Sequence, residues 1–285
     1  MTARFAVIGA GVSGLTCAAR LQASGIKVTV YEKSRGPSGR LATKRVTDKD
    51  GVDMHFDHGA QYFTARDGEF KRFVEEMKEA GKVAPWKGMI KVYDGAKLSG
   101  PKDQTTERFV GVPRNSVIGR YLESKLNPGS LHFSKRVGNI KKLTSENKWQ
   151  LFAEDKSLLG AFDGVIVSAP APQTVLLLDE MPKMRDIIAS QVKVKPCWAV
   201  MVAYEEKLKL DFDGAFINEN PVLSWICRSS SKPGRPNTRD CWVLHASSEW
   251  STTNLELTFD KAAIKIREAF EQLTNVNTKP CFVQA

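Results

Sequence analysis

The sequence feature that most constrains the fold is the glycine cluster VIGAGVSG at residues 7–14. It contains the pattern G-x-G-x-x-G in Gly9, Gly11 and Gly14. This pattern alone is weak evidence, because glycine clusters also occur in ordinary turns. The residues on either side of the cluster decide what it means.

The flanks of the cluster have the composition of a strand, a helix and a second strand. Residues 5–8 are apolar and rich in branched side chains, and residues 15–22 (LTCAARLQ) are typical of a helix that ends at Gly25. Residues 26–31 (IKVTVY) are typical of a strand. The chain thus predicts a βαβ unit within about 30 residues, the context in which this glycine pattern binds dinucleotides.

In such a unit each glycine has a physical role. Gly9 permits a tight turn, Gly11 lets a diphosphate approach the backbone, and Gly14 lets helix and strand pack closely, while unpaired amide groups at the helix N-terminus face the anion. Glu32 ends the second strand. A carboxylate there can accept both hydroxyls of an adenosine ribose and repels a 2′-phosphate, which disfavours NADP. The alternative is a structural turn whose Glu32 faces solvent.

The net charge of +10, from 42 Lys and Arg against 32 Asp and Glu, raises the question of a polyanionic partner. Charges of both signs are interleaved along most of the chain, and the one local excess is a set of five cations within residues 33–45. Neither a nucleic-acid recognition motif nor interleaved aromatic residues accompany it. We therefore predict a small phosphate-containing ligand and no nucleic-acid partner.

The spacing of the cysteines and histidines further limits the class of protein that the chain can be. The five cysteines form no C-x-x-C pair, and His55 and His58 point to opposite faces of a strand, so no metal site is predicted in a reduced, intracellular setting. The uncharged run at 5–19 has the length of a secretory h-region, but its three glycines argue against that interpretation. No later run reaches the roughly 18 apolar residues of a membrane span. We expect a cytoplasmic protein without a membrane partner.

The remainder of the chain predicts an antiparallel block. Residues 197–204 have the alternation of a strand, which places Trp198 on the same face as residues 200, 202 and 204. Further strands are predicted at 222–228 and 241–246. Residues 229–240 (SSSKPGRPNTRD) have the composition of an exposed, mobile loop. The other predicted elements are helices at 70–80, 116–125 and 259–273, and strands at 90–93, 131–137, 149–153 and 162–172.

After Glu32 the chain reads KSRGPSGRLATKR, a glycine–arginine turn that is similar to the one following the Rossmann unit of amine-oxidase-type flavoproteins. Three further stretches resemble renalase-like oxidoreductases of this superfamily, namely DHGAQYF at 57–63, SAPAP at 168–172 and CWVLHASSEWS at 241–251. The first is similar to the segment that passes beside the flavin, and the second to a nucleotide-contacting turn. One departure is that the Gly-Gly-Arg turn frequent in the family is looser here, as GPSGR.

The resemblance implies a noncovalent FAD enzyme of the α/β class, with a Rossmann-like FAD-binding domain built on a parallel sheet and an antiparallel-sheet substrate domain, interleaved in sequence. The implied FAD-binding domain comprises residues 1–66, 114–180 and 274–285, and the substrate domain comprises 67–113 and 181–273. Carried over by position, the cofactor contacts are those of the glycine cluster, the ribose carboxylate, the glycine–arginine turn, the flavin segment and the adenine site: Gly9, Ala10, Gly11, Ser13, Gly14, Glu32, Lys33, Gly39, Arg40, Leu41, Gly59, Ala60, Gln61, Tyr62 and Val137.

Renalases oxidise misreduced isomers of NAD(P)H and pass the electrons from flavin to oxygen, which gives hydrogen peroxide. The resemblance therefore implies a nicotinamide nucleotide as the small-molecule substrate and O2 as the acceptor. Hydride transfer needs mainly a ring stacked on the flavin, so no catalytic acid or base is required. Candidates to line the substrate pocket are Tyr62, Trp198, Trp225 and His245, although such residues in alternating strands are more often core.

Flavoproteins that this chain resembles close with a strand, a glycine–aspartate turn and a helix that faces the flavin, together roughly 40 residues. The chain reads FVQA at 282–285 instead, and we expect it to lack that segment. The alternative is then a catalytically weak or inactive dinucleotide-binding protein. An NAD-dependent dehydrogenase and an amine oxidase are less favoured, the former because of the Gly39-Arg40 turn and the segment at 57–62.

Overall fold

The computed structural model describes residues 2–100 and 105–285. The chain divides into two compact units, each made of two stretches of sequence. Unit 1 comprises the residues up to Leu41 and Ile118–Val194, and unit 2 comprises Ala42–Val117 and Lys195–Ala285. The α/β class, with one parallel sheet and further antiparallel sheets, is confirmed.

The described residues form the following elements. The strands are β1 (Arg4–Ile8), β2 (Lys27–Tyr31), β3 (Lys44–Thr47), β4 (Asp53–Phe56), β5 (Val83–Pro85), β6 (Ile90–Asp94), β7 (Leu98–Ser99), β8 (Phe109–Gly111), β9 (Leu131–His132), β10 (Val137–Leu143), β11 (Lys148–Ala153), β12 (Leu158–Phe162), β13 (Gly164–Val167), β14 (Ala199–Tyr204), β15 (Gly214–Asn218), β16 (Leu223–Arg228), β17 (Asp240–Ala246) and β18 (Phe282–Gln284). The helices are α1 (Val12–Ala23), α2 (Gly68–Glu79), α3 (Val117–Glu123), α4 (Ala171–Val175), α5 (Pro182–Gln191), α6 (Ser248–Thr253) and α7 (Phe259–Thr274).

Unit 1 is built on a four-stranded sheet in the order β13-β1-β2-β9, with every neighbouring pair parallel. The predicted βαβ unit is confirmed, since β1 and β2 pair with Val7 opposite Val30, and α1 connects them. Leu15 and Ala18 of α1 are fully buried, as is Val7 on the central strand. Because β1 is central and its neighbours are parallel, the glycine cluster lies at the carboxyl edge of the sheet, where such folds bind ligands.

Unit 2 contains a seven-stranded sheet in the order β18-β14-β17-β16-β15-β6-β7, antiparallel except for the β6–β15 pair. The alternation predicted for residues 197–204 is confirmed. Val200, Val202 and Tyr204 are buried on one face against Ile266 and Phe270 of α7. The intervening residues of β14 lie on the opposite face with those of β4.

The predicted helices at 70–80, 116–125 and 259–273 are confirmed with small differences at their ends. Asp67 and Thr258 fix two of the starts, because their side chains accept hydrogen bonds from the first free amide groups of α2 and α7. Two strand predictions need correction. The strand predicted at 162–172 is shorter in the structure, because Phe162 ends β12, β13 covers Gly164–Val167 and α4 begins after Pro170. Residues 131–132 pair in parallel with β2 and thus extend the parallel sheet.

The compact units differ from the predicted domains at four places, namely residues 42–66, 114–117, 181–194 and 274–285. Residues 42–66, assigned from sequence to the FAD-binding domain, belong to unit 2, because Met54 and Phe56 of β4 are buried against β14 and β17. Residues 274–285 also belong to unit 2, because β18 pairs with β14. The predicted range 67–113 includes residues 101–104, which lie outside the described residues. Within the described ranges, no helix combines the length and the apolar character that crossing a bilayer requires.

Candidate functional site

The turn between β1 and α1 is formed by the glycine cluster. Gly9 has a φ of 106°, a left-handed conformation that favours glycine, and its N–H donates to Tyr31 O at 2.8 Å. Gly11 is the N-cap of α1, and its helix start receives no hydrogen bond from a capping side chain. The first amide groups of α1 are therefore available to an anion, as helix N-termini are in phosphate sites.

The space around each glycine differs in a way that separates packing from binding. A Cβ atom on Gly14 would lie 2.1 Å from Gly9 O, and one on Gly9 would lie 2.8 Å from Ser168 Oγ. A Cβ atom on Gly11 would meet nothing within 4 Å. Gly9 and Gly14 thus have a structural reason to be glycine, whereas the protein itself gives none at Gly11, so this position has room for a ligand.

Glu32 is buried and tied to this turn. Its Oε2 accepts from the N–H of Ala10 at 2.7 Å and its Oε1 accepts from the N–H of Ser34 at 2.8 Å, with only 7% of the residue exposed. The alternative in which Glu32 faces solvent is therefore wrong. Each carboxylate oxygen retains a second lone pair. Its contact with a ribose stays a prediction.

The glycine–arginine turn packs against the glycine cluster. Ser38 N donates to Ala10 O at 3.0 Å, and a Cβ atom on Gly39 would lie 3.3 Å from Gly11 Cα. Ser38 has a φ of 110° and Gly39 a φ of 53°, so two consecutive residues hold left-handed conformations. Such conformations in non-glycine residues are uncommon and concentrate at functional sites. The structure thus brings these two predicted phosphate-binding turns together.

The remaining predicted residues of unit 1 lie around these turns. Ser168, at the start of SAPAP, donates to Ile8 O at 2.9 Å and to Gly9 O at 3.1 Å. The segment before Val137 runs beside the backbone of Glu32, since Lys135 N donates to the backbone oxygen of Glu32 at 2.9 Å. The other members are in place along the cluster and the second turn, with Ser13, Lys33, Gly39 and Arg40 exposed, Leu41 half-buried and Val137 buried.

Unit 2 contains a buried charge cluster that the sequence does not reveal. Asp57 is fully buried, and its Oδ2 lies 2.5 Å from Arg235 Nη2 and 3.3 Å from Lys232 Nζ. Its Oδ1 accepts from Thr43 Oγ1 at 2.7 Å and from Asn115 N at 3.1 Å. One carboxylate thus faces two buried cations, and the cluster holds an excess of one positive charge. We call these three charged residues the Asp57 cluster.

The prediction of an exposed loop at 229–240 is therefore wrong at its centre. Lys232 and Arg235 are 2% and 7% exposed. The loop composition predicts solvent exposure, whereas the burial depends on a partner far away in sequence. The sequence signal for this cluster was a pair of cations close together in a polar segment, but nothing in their spacing points to Asp57.

The environment of Asp57 holds it in the charged form. Burial alone would raise its pKa, but the charges of Lys232 and Arg235, together with hydrogen bonds from Arg235 and Thr43, lower the pKa from 3.8 to about 2. Since the folded-state pKa lies below the unfolded one, this group contributes stability above pH 4 that is lost as the pH falls towards 2.

A pocket of about 270 Å³ lies beside this cluster in unit 2. Three of the four predicted substrate residues line it, and so do all four residues predicted near the flavin. Phe216 completes the wall. It was not predicted, because it is one aromatic residue among many in alternating strands. The lining residues are Gly59, Ala60, Gln61, Tyr62, Phe216, Trp225 and His245. A larger polar groove of about 440 Å³ at residues 267–279 contains none of the candidates.

Trp198 is the exception among the predicted pocket residues. Its ring packs edge-to-face on Phe259, with 5.6 Å between centroids, and its Nε1 donates to Asn254 O at 3.1 Å. It packs on the core between the sheet and α7, the face opposite to His245. Strand alternation explains this outcome, because residues 198, 200, 202 and 204 share the α7 face. Its assignment to the pocket is wrong.

His245 is held by the segment that forms the pocket floor. Its Nε2 lies 2.9 Å from His58 O, a contact in which the ring nitrogen donates because a carbonyl oxygen can only accept. Burial lowers the pKa of His245, the bond to His58 raises it, and the charge of Lys232 lowers it again, with a net downward shift. The ring is therefore neutral at physiological pH. Across the described residues, no three His, Cys, Asp or Glu side chains converge as a metal site.

Comparison with known proteins agrees with the Rossmann-like structure around the glycine cluster. A family model for an NAD(P)-binding Rossmann-like domain matches residues 7–77. The mitochondrial protoporphyrinogen oxidase of Nicotiana tabacum is 38% identical over 74 residues, which are 26% of this chain and 14% of that protein. The aligned region is thus a small part of the curated relative.

Solved structures resemble the whole chain. A protein from Exiguobacterium sp. 255-15, assigned as a protoporphyrinogen oxidase, superposes with a TM-score of 0.77 at 11% identity over 99% of this chain and 85% of its own. At this identity the superposition shows that the two chains share a fold. Reduced UDP-galactopyranose mutase gives a TM-score of 0.76 at 11% identity, over 100% of this chain and 82% of the mutase. Because a protein named as an oxidase and a mutase share it, this fold alone does not decide the reaction.

Proposed function

We propose that the chain is an FAD-dependent oxidoreductase in which unit 1 holds the adenosine diphosphate half of the cofactor. The observation that carries the proposal is the difference between the three glycines. Gly9 and Gly14 are crowded by the protein, whereas the space in front of Gly11 is open at an uncapped helix N-terminus. That combination is suited to a diphosphate.

The surrounding residues fit the same ligand. Glu32 has remaining lone pairs for ribose hydroxyls, and the exposed Arg40 follows Gly39, which packs on Gly11. A guanidinium binds phosphate oxygens through charge-assisted hydrogen bonds. The residues of unit 1 therefore supply an anion site, a hydroxyl acceptor and a neutralising cation.

When bound, FAD would supply hydride acceptance and the transfer of two electrons to O2, which with two protons gives H2O2. The residues of unit 2 have a different task. Tyr62, Phe216 and Trp225 form an aromatic wall that orients a flat ring. The cations of the Asp57 cluster hold the side chains of Asp57 and Gln61. None of these residues needs to move a proton during hydride transfer.

We further propose a renalase-like reaction, the oxidation of isomeric dihydronicotinamide dinucleotides. It is supported by the DHGAQYF stretch, whose residues 59–62 line the pocket, and by a volume that suits one ring system more than a whole dinucleotide. The test is O2 consumption and H2O2 release by the purified chain with 2- and 6-dihydro isomers of NADH. Turnover of small amines in their place would reject the renalase-like reaction and favour the amine-oxidase alternative.

Gly11→Ala tests the diphosphate site directly. The added methyl group meets no protein atom, so the free energy of unfolding should fall by no more than about 1 kcal/mol, the cost of replacing glycine by alanine at an N-cap. FAD binding should weaken about tenfold or more, because the methyl group occupies the approach to the diphosphate, and tenfold corresponds to about 1.4 kcal/mol. Isothermal titration with FAD measures the affinity. Unchanged affinity in a stably folded variant would reject the site.

Arg40→Ala tests the predicted charge-assisted contact. We expect FAD binding to weaken by about 1.5–3 kcal/mol, since a hydrogen bond to a charged group is lost. Arg45→Ala removes the same charge from an exposed position of β3 and serves as the control. Equal losses in the two variants would mean that only overall charge matters and would contradict the assignment of Arg40.

The alternative is a dinucleotide-binding protein without catalysis. It is favoured by one observation, namely that the two predicted phosphate-binding turns lie entirely within unit 1. The visible spectrum of the purified chain separates the two functions. A yellow protein that releases flavin on denaturation supports the oxidoreductase, whereas a colourless protein that binds ADP-ribose and refuses FAD supports the alternative.

A further inference from the structure

One wall of the pocket of unit 2 is formed by aromatic rings that are inclined to one another by 57° to 61°. The rings of Phe216 and Trp225 lie 4.7 Å apart between centroids, and those of Tyr62 and Trp225 lie 5.8 Å apart. Phe216 is 38% exposed, although it is a large aromatic residue. Aromatic faces of this kind favour stacking or edge contact with another planar ring.

The backbone carbonyl groups in the floor of the pocket accept hydrogen bonds from side chains of the protein. Five consecutive backbone oxygens, at residues 57–61, each accept a hydrogen bond from a side chain. Gln61 Nε2 donates to the first and third, His245 Nε2 to the second at 2.9 Å, and Asn115 Nδ2 to the fourth and fifth at 2.7 and 3.4 Å. The amide of Gln61 is oriented in turn by Lys232, whose Nζ donates to Oε1 at 3.2 Å.

Three kinds of polar group in the lining residues have no hydrogen-bond partner among the described residues, and the first is the buried Nε1–H of Trp225. The backbone N–H groups of residues 59–62 donate to no acceptor among the described residues. His245 uses Nε2–H for His58, and in the neutral ring Nδ1 then carries a free lone pair, to which no described residue donates. The lining residues therefore supply hydrogen-bond donors and, in His245 Nδ1, a side-chain acceptor, which together complement the C=O and N–H of an amide group.

We propose that the pocket binds a planar heteroaromatic ring that bears an amide or imide, and that His245 Nδ1 accepts its N–H. The proposal rests on the proposed function, in which two sources carry this chemistry, namely the carboxamide of a nicotinamide substrate and the imide of the flavin ring. His245 is thus a positioning residue, because it fixes the orientation of the ring through one hydrogen bond. It would discriminate against rings of the same shape that lack the N–H.

The experiment compares ring pairs that differ only in the donor. Nicotinamide mononucleotide is titrated against its 3-acetylpyridine analogue, in which a methyl group replaces the amide nitrogen, and lumiflavin against N3-methyllumiflavin. For the source that occupies the pocket, we expect the ligand with the N–H to bind about fivefold to tenfold more tightly, in line with one net hydrogen bond. In His245→Phe, which keeps a flat ring and removes the acceptor, this preference should disappear.

Each outcome assigns or rejects the contact. A preference confined to the nicotinamide pair identifies a substrate subsite, and one confined to the flavin pair identifies a cofactor subsite. No preference in either pair overturns the proposal, and so does a preference that survives in His245→Phe. Failure of the proposed function is seen separately, as a protein that binds no FAD while still discriminating between the small rings.

A second measurement needs no variant. The sequence contains four histidines, so the ring nitrogens can be assigned individually by ¹⁵N NMR of the full chain. We expect His245 to show a protonated Nε2 and an unprotonated Nδ1, and we expect the Nδ1 resonance to move upfield when the N–H ligand is added but not with its analogue. A protonated Nδ1 in the free protein would overturn the proposal.

Discussion

Asp57→Asn is expected to lower the free energy of unfolding by about 3–5 kcal/mol, because it leaves two buried cations without a counter-charge. Lys232 and Arg235 have side chains that are 0% exposed, so water cannot replace the lost carboxylate. The amide retains the shape of the side chain, which separates the charge effect from a cavity effect. Chemical denaturation followed by tryptophan fluorescence measures the difference.

Asp50→Asn is the matched control for this prediction. Asp50 also pairs with an arginine, with 2.8 Å between its Oδ2 and Arg239 Nη2, but its side chain is 51% exposed. An exposed pair of this kind should contribute less than about 1 kcal/mol. Losses of equal size in the two variants would show that burial does not strengthen the Asp57 cluster and would contradict the prediction.

The pH dependence gives a second check on Asp57. The pKa is about 2 in the folded chain and 3.8 without these partners. The wild-type contribution is therefore complete above pH 4 and declines as the pH falls towards 2. The stability deficit of Asp57→Asn should shrink over the same interval, because protonation makes the wild-type carboxyl neutral as well. A deficit that stays constant would attribute the loss to packing.

Gly14→Ala is expected to lower both the stability and the dinucleotide affinity. The new methyl group would lie 2.1 Å from Gly9 O and 2.5 Å from Ser168 Oγ, so backbone has to move. Overpacking of this kind costs about 1–3 kcal/mol, against which the better helix propensity of alanine offsets at most about 1 kcal/mol. The displacement of Gly9 also distorts the turn that would hold the diphosphate.

Comparison with Gly11→Ala makes this prediction specific. Both variants add one methyl group within the same turn, yet only Gly14→Ala meets protein atoms. Thermal or chemical unfolding should therefore distinguish them, whereas titration with FAD should show weak binding in both. If Gly14→Ala is as stable as the wild type, the close packing of α1 on the β1 turn is not required for folding.

The part of the candidate site in unit 1 could be predicted from sequence because its determinants are local. The βαβ unit, the three glycine positions and Glu32 lie within one short stretch of chain, and each element is defined by its own periodicity or turn residues. The packing of Gly39 on Gly11 follows the same logic, since the second turn comes directly after β2. What the pattern could not give was the burial of Glu32 under two backbone donors.

The pocket in unit 2 was predicted only in part. Tyr62, Trp225 and His245 line it. Trp198 faces α7 instead, although it is a tryptophan in an alternating segment, as Trp225 is. Strand periodicity divides residues between two faces without saying which face carries a pocket. Phe216 was missed for the same reason.

The sequence by itself determined the Rossmann-like unit and its glycine turn, because residues that are close in the chain set the geometry there. Only the tertiary structure decided that Asp57 meets Lys232 and Arg235, 175 and 178 residues later, inside the protein. Loop composition predicts water around these cations, and their burial becomes favourable only once the fold supplies the opposite charge and the hydrogen bonds that replace that water.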